Sequence, residues 1–214
     1  MGQYYKPISI DKKQWVYSHD YRNGLKLMEH SWIGNNFVAA VEGLIAEGGA
    51  WHGDRIVWAG DYADPEKGKN GKPTKRNLWD HCDKDNQKLT PEVPKTKFRY
   101  VINLDTKEFV DKNKVPLSDV YTDDKGKEWP YTIHPLPILT CEGNGRGGGD
   151  LHKESPLVGK WARNRVTVST KKPAGFTEVI FDVFEGVIPA QLTKKPSKGK
   201  PKEDVNEMRP DMMI

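Results

Sequence analysis

Apolar residues along this chain recur mostly at every second position in short runs, and at a helical spacing in one clear place. YYKPISIDKKQWVY, Tyr4 to Tyr17, alternates around an Asp-Lys-Lys centre and predicts two short strands joined by a turn. FRYVINLDTKEFV, Phe98 to Val110, has the same form. Between them lies FVAAVEGLIA, in which Phe37, Val41, Leu44 and Ile45 fall on one helical face. Asn36 is placed to cap that helix, and Gly48 and Gly49 to end it. RIVWA, Arg55 to Ala59, is dense enough in apolar residues for a strand buried on both faces. Asn77 to Asn86 suggests a short helix. Pro135 and Pro137 predict an extended lead into ILTCE, and RVTVS a further strand. EVIFDVFEGVI, Glu178 to Ile188, suggests a strand or strand pair.

Polar segments punctuate these runs. Residues 65–76, PEKGKNGKPTKR, hold Lys67, Lys69, Lys72, Lys75 and Arg76 among Gly and Pro, a composition expected of a solvated loop. TPEVPKTK is a Pro-punctuated linker, and residues 111–130 are polar and irregular. From Thr193 onward the chain has almost nothing to bury, which predicts a mobile basic tail.

Laid together, the runs repeat. IDKKQWV, Ile10 to Val16, matches LDTKEFV, Leu104 to Val110, with Asp11 over Asp105 and Trp15 over Phe109. Trp51 and Arg55 match Trp161 and Arg165 at a longer offset, so the second copy carries an insertion. A glycine segment precedes each Trp: EGGAW in the first copy, GNGRGGGD further upstream in the second. One such unit cannot cover its own apolar face, whereas two can pack on each other. The expectation is an α+β fold, one compact body of two pseudo-symmetric β-rich halves with few helices and a flexible basic C-terminal tail. Residues 1–97 would form the first half with its linker, 98–192 the second, and 193–214 the tail.

Composition adds limits. The 214 residues are 36% hydrophobic and 30% charged with mean hydropathy −0.78, polar for a folded chain, but seven Trp are too many for a disordered one. A net charge of +4 permits contact with nucleic acid or another anionic partner without demanding it. Cys82 and Cys141 have no metal-type spacing and suit buried thiols in a reducing compartment. MGQYYKPISID has neither the basic nor the apolar region of a signal peptide, and no window is long enough to span a membrane. A soluble cytoplasmic protein is expected.

MGQYY, NGLKLMEHS, GNGRGGGD and the W-x-GDRIV-x-AGDYAD phrase resemble those of an uncharacterised family of small proteins from bacteriophages and bacteria. The resemblance covers roughly residues 1–64 and 143–170 and implies a phage or mobile-element origin, with a host-cell cytoplasmic location; it implies no activity. In that family the Gly-rich run leads directly into W-x-GDRI. Here GDRI follows Trp51 while the Gly-rich run precedes WARNRV, which argues against a single site.

The chemistry follows from three segments. Gly145, Arg146, Gly147, Gly148 and Gly149 form a loop whose backbone N–H groups can converge on an anion, with Arg146, Arg163 and Arg165 as cationic partners. The run fits no phosphate-loop consensus, so a tight left-handed loop closing the repeat unit is the favoured reading of it. His52, Asp54, Asp61 and Asp64 are the runner-up, a hard-metal set, although strand geometry puts Asp54 and Asp61 at opposite ends. Neighbouring His81 and Cys82 point about a hundred degrees apart on a helix, so the histidine cannot activate the thiol. Buried polar contact is the expected role of His30. The tryptophans are scattered rather than interleaved with basic residues, so Trp51 and Trp161 are read as core anchors. Three function classes stand: a non-enzymatic binding protein for a host macromolecule or small anionic ligand; a metal- or phosphate-dependent enzyme of hydrolase or nuclease type; and a virion or assembly component. No catalytic constellation is recognisable, which favours the first, with no cofactor.

Overall fold

Both alternating segments fold as hairpins, and each pins an arginine from a central strand. The computed structural model describes residues 3–122, 126, 128–143 and 155–183. The Gly-rich residues from Asn144 to Asp150 and everything from Phe184, including the tail from Thr193, lie outside the described residues. In the first half, β1 (Tyr5–Ser9) pairs antiparallel with β2 (Gln14–Val16) and with β3 (Arg55–Gly60), and β4 (Gln87–Leu89) adds parallel to β2. In the second half, β5 (Tyr100–Asn103) pairs antiparallel with β6 (Glu108–Asp111). A separate hairpin, β7 (Asp119–Thr122) with β8 (Glu128–Tyr131), follows, and then β9 (Cys141–Glu142). β5 also pairs with β10 (Asn164–Ser169), and β11 (Thr177–Glu178) adds parallel to β6. The main sheet therefore runs β11-β6-β5-β10-β3-β1-β2-β4, with β9 beside β3.

This order reads the same from both ends. β3 and β10 meet at its centre, where Arg55 lies directly opposite Arg165. In an antiparallel pair that register puts a local two-fold axis between the two arginines. The equivalences extend outward atom by atom. Arg55 N–H donates to Asp11 Oδ2 at 2.7 Å, and Arg165 N–H to Asp105 Oδ2 at 2.8 Å. Ile10 N–H reaches Arg55 O, and Leu104 N–H reaches Arg165 O. Trp51 Nε1 donates to Gln14 Oε1 at 2.9 Å, and Trp161 Nε1 to Glu108 Oε2 at 2.8 Å. Both indoles are fully buried. Even the edge strands agree: Gln87 N–H donates to Lys13 O and Thr177 N–H to Lys107 O, each at 2.9 Å. The chain is a duplicated α+β unit.

Helices explain why one unit would not suffice. α1 (Leu27–His30) leads into α2 (Asn36–Ile45), whose Phe37, Val38, Val41 and Ile45 are buried as the spacing requires. Asn35, not Asn36, is the cap, its side chain accepting Val38 N–H; the helix begins one residue earlier than its apolar stripe suggests. A Cβ at Gly49 would lie 2.3 Å from the carbonyl oxygens of Gly43 and Leu44, so only glycine closes that end. α2 lies against β10 of the other half, where Thr167 Oγ1 donates to Ile45 O at 2.8 Å. Reciprocally α4 (Pro135–Thr140) packs on β3, and Trp58 pairs with Cys141. Each half thus covers the other's central strand. The segment expected to be an extended lead into ILTCE is this helix: Pro135 and Pro137 occupy its first turn, where a missing N–H costs nothing. Of the expected strand from Glu178 to Ile188, Thr177–Glu178 is the strand seen among the described residues, and residues 184–188 lie outside them.

Candidate functional site

The two arginines expected to serve an anion pocket both have carboxylate partners. Arg163 sits at φ 67, between carboxylates from two distant segments. Its Nη1 and Nη2 donate to Glu66 at 3.0 and 2.5 Å, and its Nε and Nη2 to Glu142 at 2.6 and 2.5 Å. These bonds hold its pKa above the ordinary arginine range. Arg165 Nη1 donates to Asp105 at 3.0 Å. Gly145, Arg146, Gly147, Gly148 and Gly149 lie outside the described residues.

The runner-up metal set has other partners too. His52 Nδ1 lies 3.4 Å from Ile45 O, and Asp54 Oδ2 accepts from Ser9 Oγ at 2.7 Å. Asp61 Oδ1 accepts the Tyr4 N–H at 3.0 Å, and Asp64 is exposed. Among the described residues, no group of three or more His, Cys, Asp or Glu side chains could hold a metal ion. Cys82 and Cys141 are free and buried, and burial pushes each thiol up to about 12, which removes the thiolate that nucleophilic chemistry needs. His81 bonds Asp85 at 2.6 Å instead.

Arg163 nevertheless leads to the most distinctive surface. Glu66, which it holds, opens the PEKGKNGKPTKR segment, which is solvated as expected but is also folded as a hydrogen-bonded hairpin. Glu66 N–H bonds Arg76 O, Thr74 N–H bonds Glu66 O, and Gly68 N–H bonds Lys72 O, all at 2.7–2.8 Å. Gly71 N–H closes the turn onto Gly68 O at 2.8 Å, with Gly71 at φ 75. This is a three-residue hairpin loop ending in a left-handed glycine, a geometry that the GKNGK sequence supplies. The backbone pairing satisfies itself and leaves the side chains outward, which is how a segment with no apolar residues keeps a fixed shape. Lys67, Lys69, Lys72, Lys75 and Arg76 are all exposed. The root is fixed at three points. Arg163 holds Glu66; Asp85 holds Arg76 at 3.4 Å; and Asn77 Nδ2 donates to Asp61 O and Ala63 O, each at 3.0 Å. Asn77 also caps α3 (Leu78–Cys82), which therefore starts where the hairpin ends.

Two buried ionic arrangements went unpredicted. Lys6, 3% exposed, puts its ammonium 4.3 Å from the Trp15 ring centroid and 4.1 Å from that of Trp79, and Asp83 accepts from it at 2.9 Å. This sandwich ties α3 to the sheet. Its signal was available: period two puts Lys6 on the face of Ile8 and Ile10. The second is Glu42, whose Oε1 lies 2.5 Å from Lys112 Nζ and 3.2 Å from His134 Nε2. His134 Nδ1 accepts the Leu136 N–H as the cap of α4, so Nε2 carries the proton and donates to Glu42. Burial holds His134 below the ordinary histidine range, while His134 and Lys112 hold Glu42 below the carboxylate range against its own desolvation. All three side chains are under 10% exposed, out of reach of a substrate. A glutamate on the buried stripe of α2 was the visible hint.

Fold and site together define a duplicated α+β unit with a basic hairpin inserted in its first half, and no helix among the described residues is long and apolar enough to cross a membrane. No protein-family model matches the chain, and neither a curated protein nor a solved structure is found similar to it.

Proposed function

We propose that the protein is a non-enzymatic binding protein that engages an anionic partner through the hairpin at residues 66–76. One observation carries this reading. The hairpin holds Lys67, Lys69, Lys72 and Lys75 exposed on a self-paired backbone, while its one carboxylate, Glu66, is neutralised by Arg163. Fixed cations lose less freedom on binding than cations on a flexible chain, so affinity per charge rises. The phage origin suggested by the family resemblance fits a host macromolecule as the partner. A virion role has no observation of its own to favour it.

Binding to immobilised heparin as a generic polyanion tests the reading. The protein should be retained and elute with rising salt, and a variant with all four lysines changed to Gln should elute much earlier with unchanged thermal unfolding. Equal retention of the two proteins would remove the hairpin from the function.

A further inference from the structure

The root of the four-lysine hairpin is bonded to the segment that carries the most exposed aromatic residues of the first half. Tyr62 is 51% exposed and Tyr4 43% exposed, whereas Trp15, Trp51 and Trp58 of the same half are buried. Both tyrosines sit at the hairpin root. Asp61 N–H bonds Tyr4 O at 3.0 Å, and the Tyr4 N–H bonds the Asp61 side chain, so Tyr4 lies in register with the residue before Tyr62. Ala63, next to Tyr62, is tied by its N–H to Gly60 O and by its carbonyl to Asn77. Both exposed tyrosines therefore stand on a braced backbone. Five residues at most, about 17 Å of extended chain, separate Tyr62 from Lys67. Lys26 bridges to Tyr4 through the backbone, with its own ammonium 3.4 Å from Glu29 Oε1.

Exposed tyrosines near the root of a hairpin that carries four exposed lysines offer two different contacts at once. Ammonium groups follow a phosphate backbone without regard to bases. Rings stack on bases, but only where bases are unpaired and can leave their neighbours. A duplex offers no base face to Tyr4 or Tyr62, and an acidic protein offers none either. We propose that the hairpin and these two tyrosines form a binding surface for single-stranded nucleic acid, with Lys67, Lys69, Lys72 and Lys75 on the phosphates and Tyr62 and Tyr4 under bases. This rests on the anionic-partner reading above and narrows it to one chemical class.

Fluorescence anisotropy of the full chain with a labelled oligothymidylate of about 20 nucleotides, longer than one stacking platform of roughly 4–16 nucleotides, is the test. An oligouridylate, a duplex of equal length and polyglutamate serve as comparison probes. The single strands should bind more tightly than the duplex and polyglutamate. With four phosphate contacts, the slope of log affinity against log salt should be about −2.8, and Lys72→Gln should reduce its magnitude by about 0.7. Tyr62→Leu should weaken single-strand binding roughly 10-fold without changing that slope, and Tyr62→Phe should restore it. If duplex and single strands bind alike and neither Tyr62→Leu nor Tyr4→Leu changes affinity, the single-strand inference is overturned and the anion reading stands. If heparin retention also fails, both fall.

Discussion

The two halves of this molecule share a frame and differ in what they insert into it. Hairpin, pinned arginine, buried indole and parallel edge strand recur with matching hydrogen bonds. In the first half, residues 61–86 intervene between β3 and β4 and make the basic hairpin and α3; the equivalent link between β10 and β11 in the second half is residues 170–176. The second half instead places its extra residues between α4 and Trp161, the interval holding the Gly-rich run. A duplicated frame preserves what both copies need to stay folded, so function concentrates where they part. The sheet face shows the same. Lys6, ionic between two indoles in the first half, has Tyr100 as its counterpart, stacked edge-on against Phe109 at 5.8 Å.

The shared frame is broken most severely at its two indoles. Trp51→Ala and Trp161→Ala should each destabilise by about 3–5 kcal/mol, the range for large buried aromatics. Denaturant unfolding measures both. A loss below about 1 kcal/mol at either site, outside that range, would end their equivalence. Changing each to Phe sharpens the test, because both sites lose the same ring volume and differ in the ring nitrogen's bond that goes with it. Trp161 donates to a carboxylate and Trp51 to a neutral amide, so above a shared cavity cost Trp161→Phe should lose more, about 1.5–3 against 0.5–1.5 kcal/mol for the hydrogen bond.

Acid separates the halves through their buried histidines. His30 donates from Nδ1 to Gly24 O at 3.0 Å and accepts from Trp58 Nε1 at 3.1 Å, so both ring nitrogens are used in the neutral form. Burial lowers its pKa to about 4. Between the ordinary histidine value near 6.5 and about 4, the unfolded chain binds a proton that the folded chain refuses. Stability is therefore full above about pH 6.5 and declines as pH falls, by up to about 3 kcal/mol from this residue. His134 contributes in the same direction. Unfolding measured at pH 7 and pH 5 should show the loss, and His30→Gln should flatten it. An unchanged slope would mean that His30 is protonated in the fold.

The anchoring arginine tests where the halves diverge. Arg163 and Gly53 are equivalents, at φ 67 and 78 respectively. Arg163→Ala removes the link between Glu66 and Glu142 and keeps the left-handed strain; Arg163→Gly removes the link and the strain. The guanidinium is 38% exposed, so the ion pairs should contribute about 1 kcal/mol or less after solvent screening. Arg163→Gly should thus be nearly neutral and Arg163→Ala mildly destabilising by thermal unfolding. Both should loosen the hairpin, seen as faster amide exchange at Gly68 and Gly71. Unchanged exchange would show that the backbone pairing alone holds the hairpin.

What the sequence made legible follows from how far each signal reaches. The hairpins, α2 and the duplication are periodic, and periodicity is local, so Asp11 over Asp105 and Trp51 over Trp161 could be paired by eye. The helix at Pro135 was missed because two prolines in a first turn resemble an extended segment until His134 is seen capping it. The basic hairpin was missed for the opposite reason. Its composition forbids a core, yet GKNGK sets a turn whose backbone bonds need none. The partners of Arg163 could not be read at all. Glu66 and Glu142 lie 97 and 21 residues away in sequence, and only the finished sheet brings them together.

The smallest expected effect lies in the two hairpin turns. Lys13 at φ 54 and Lys107 at φ 55 occupy the last loop position of their hairpins. A non-glycine residue there costs roughly 1–2 kcal/mol in backbone strain, which glycine removes. Glycine also enlarges the freedom of the unfolded chain, a cost of about 0.5–1 kcal/mol. The balance for Lys13→Gly and Lys107→Gly is a gain of a few tenths of a kcal/mol, of one sign and similar size at both turns. Each lysine also lends its carbonyl, not its side chain, to the edge strand, so Gln87 and Thr177 keep their partners in the variants. Thermal unfolding of both single variants and the double decides it. Gains that match and add mean the turns are equivalent and independent; gains of opposite sign would show that one turn is strained for a reason that the other lacks.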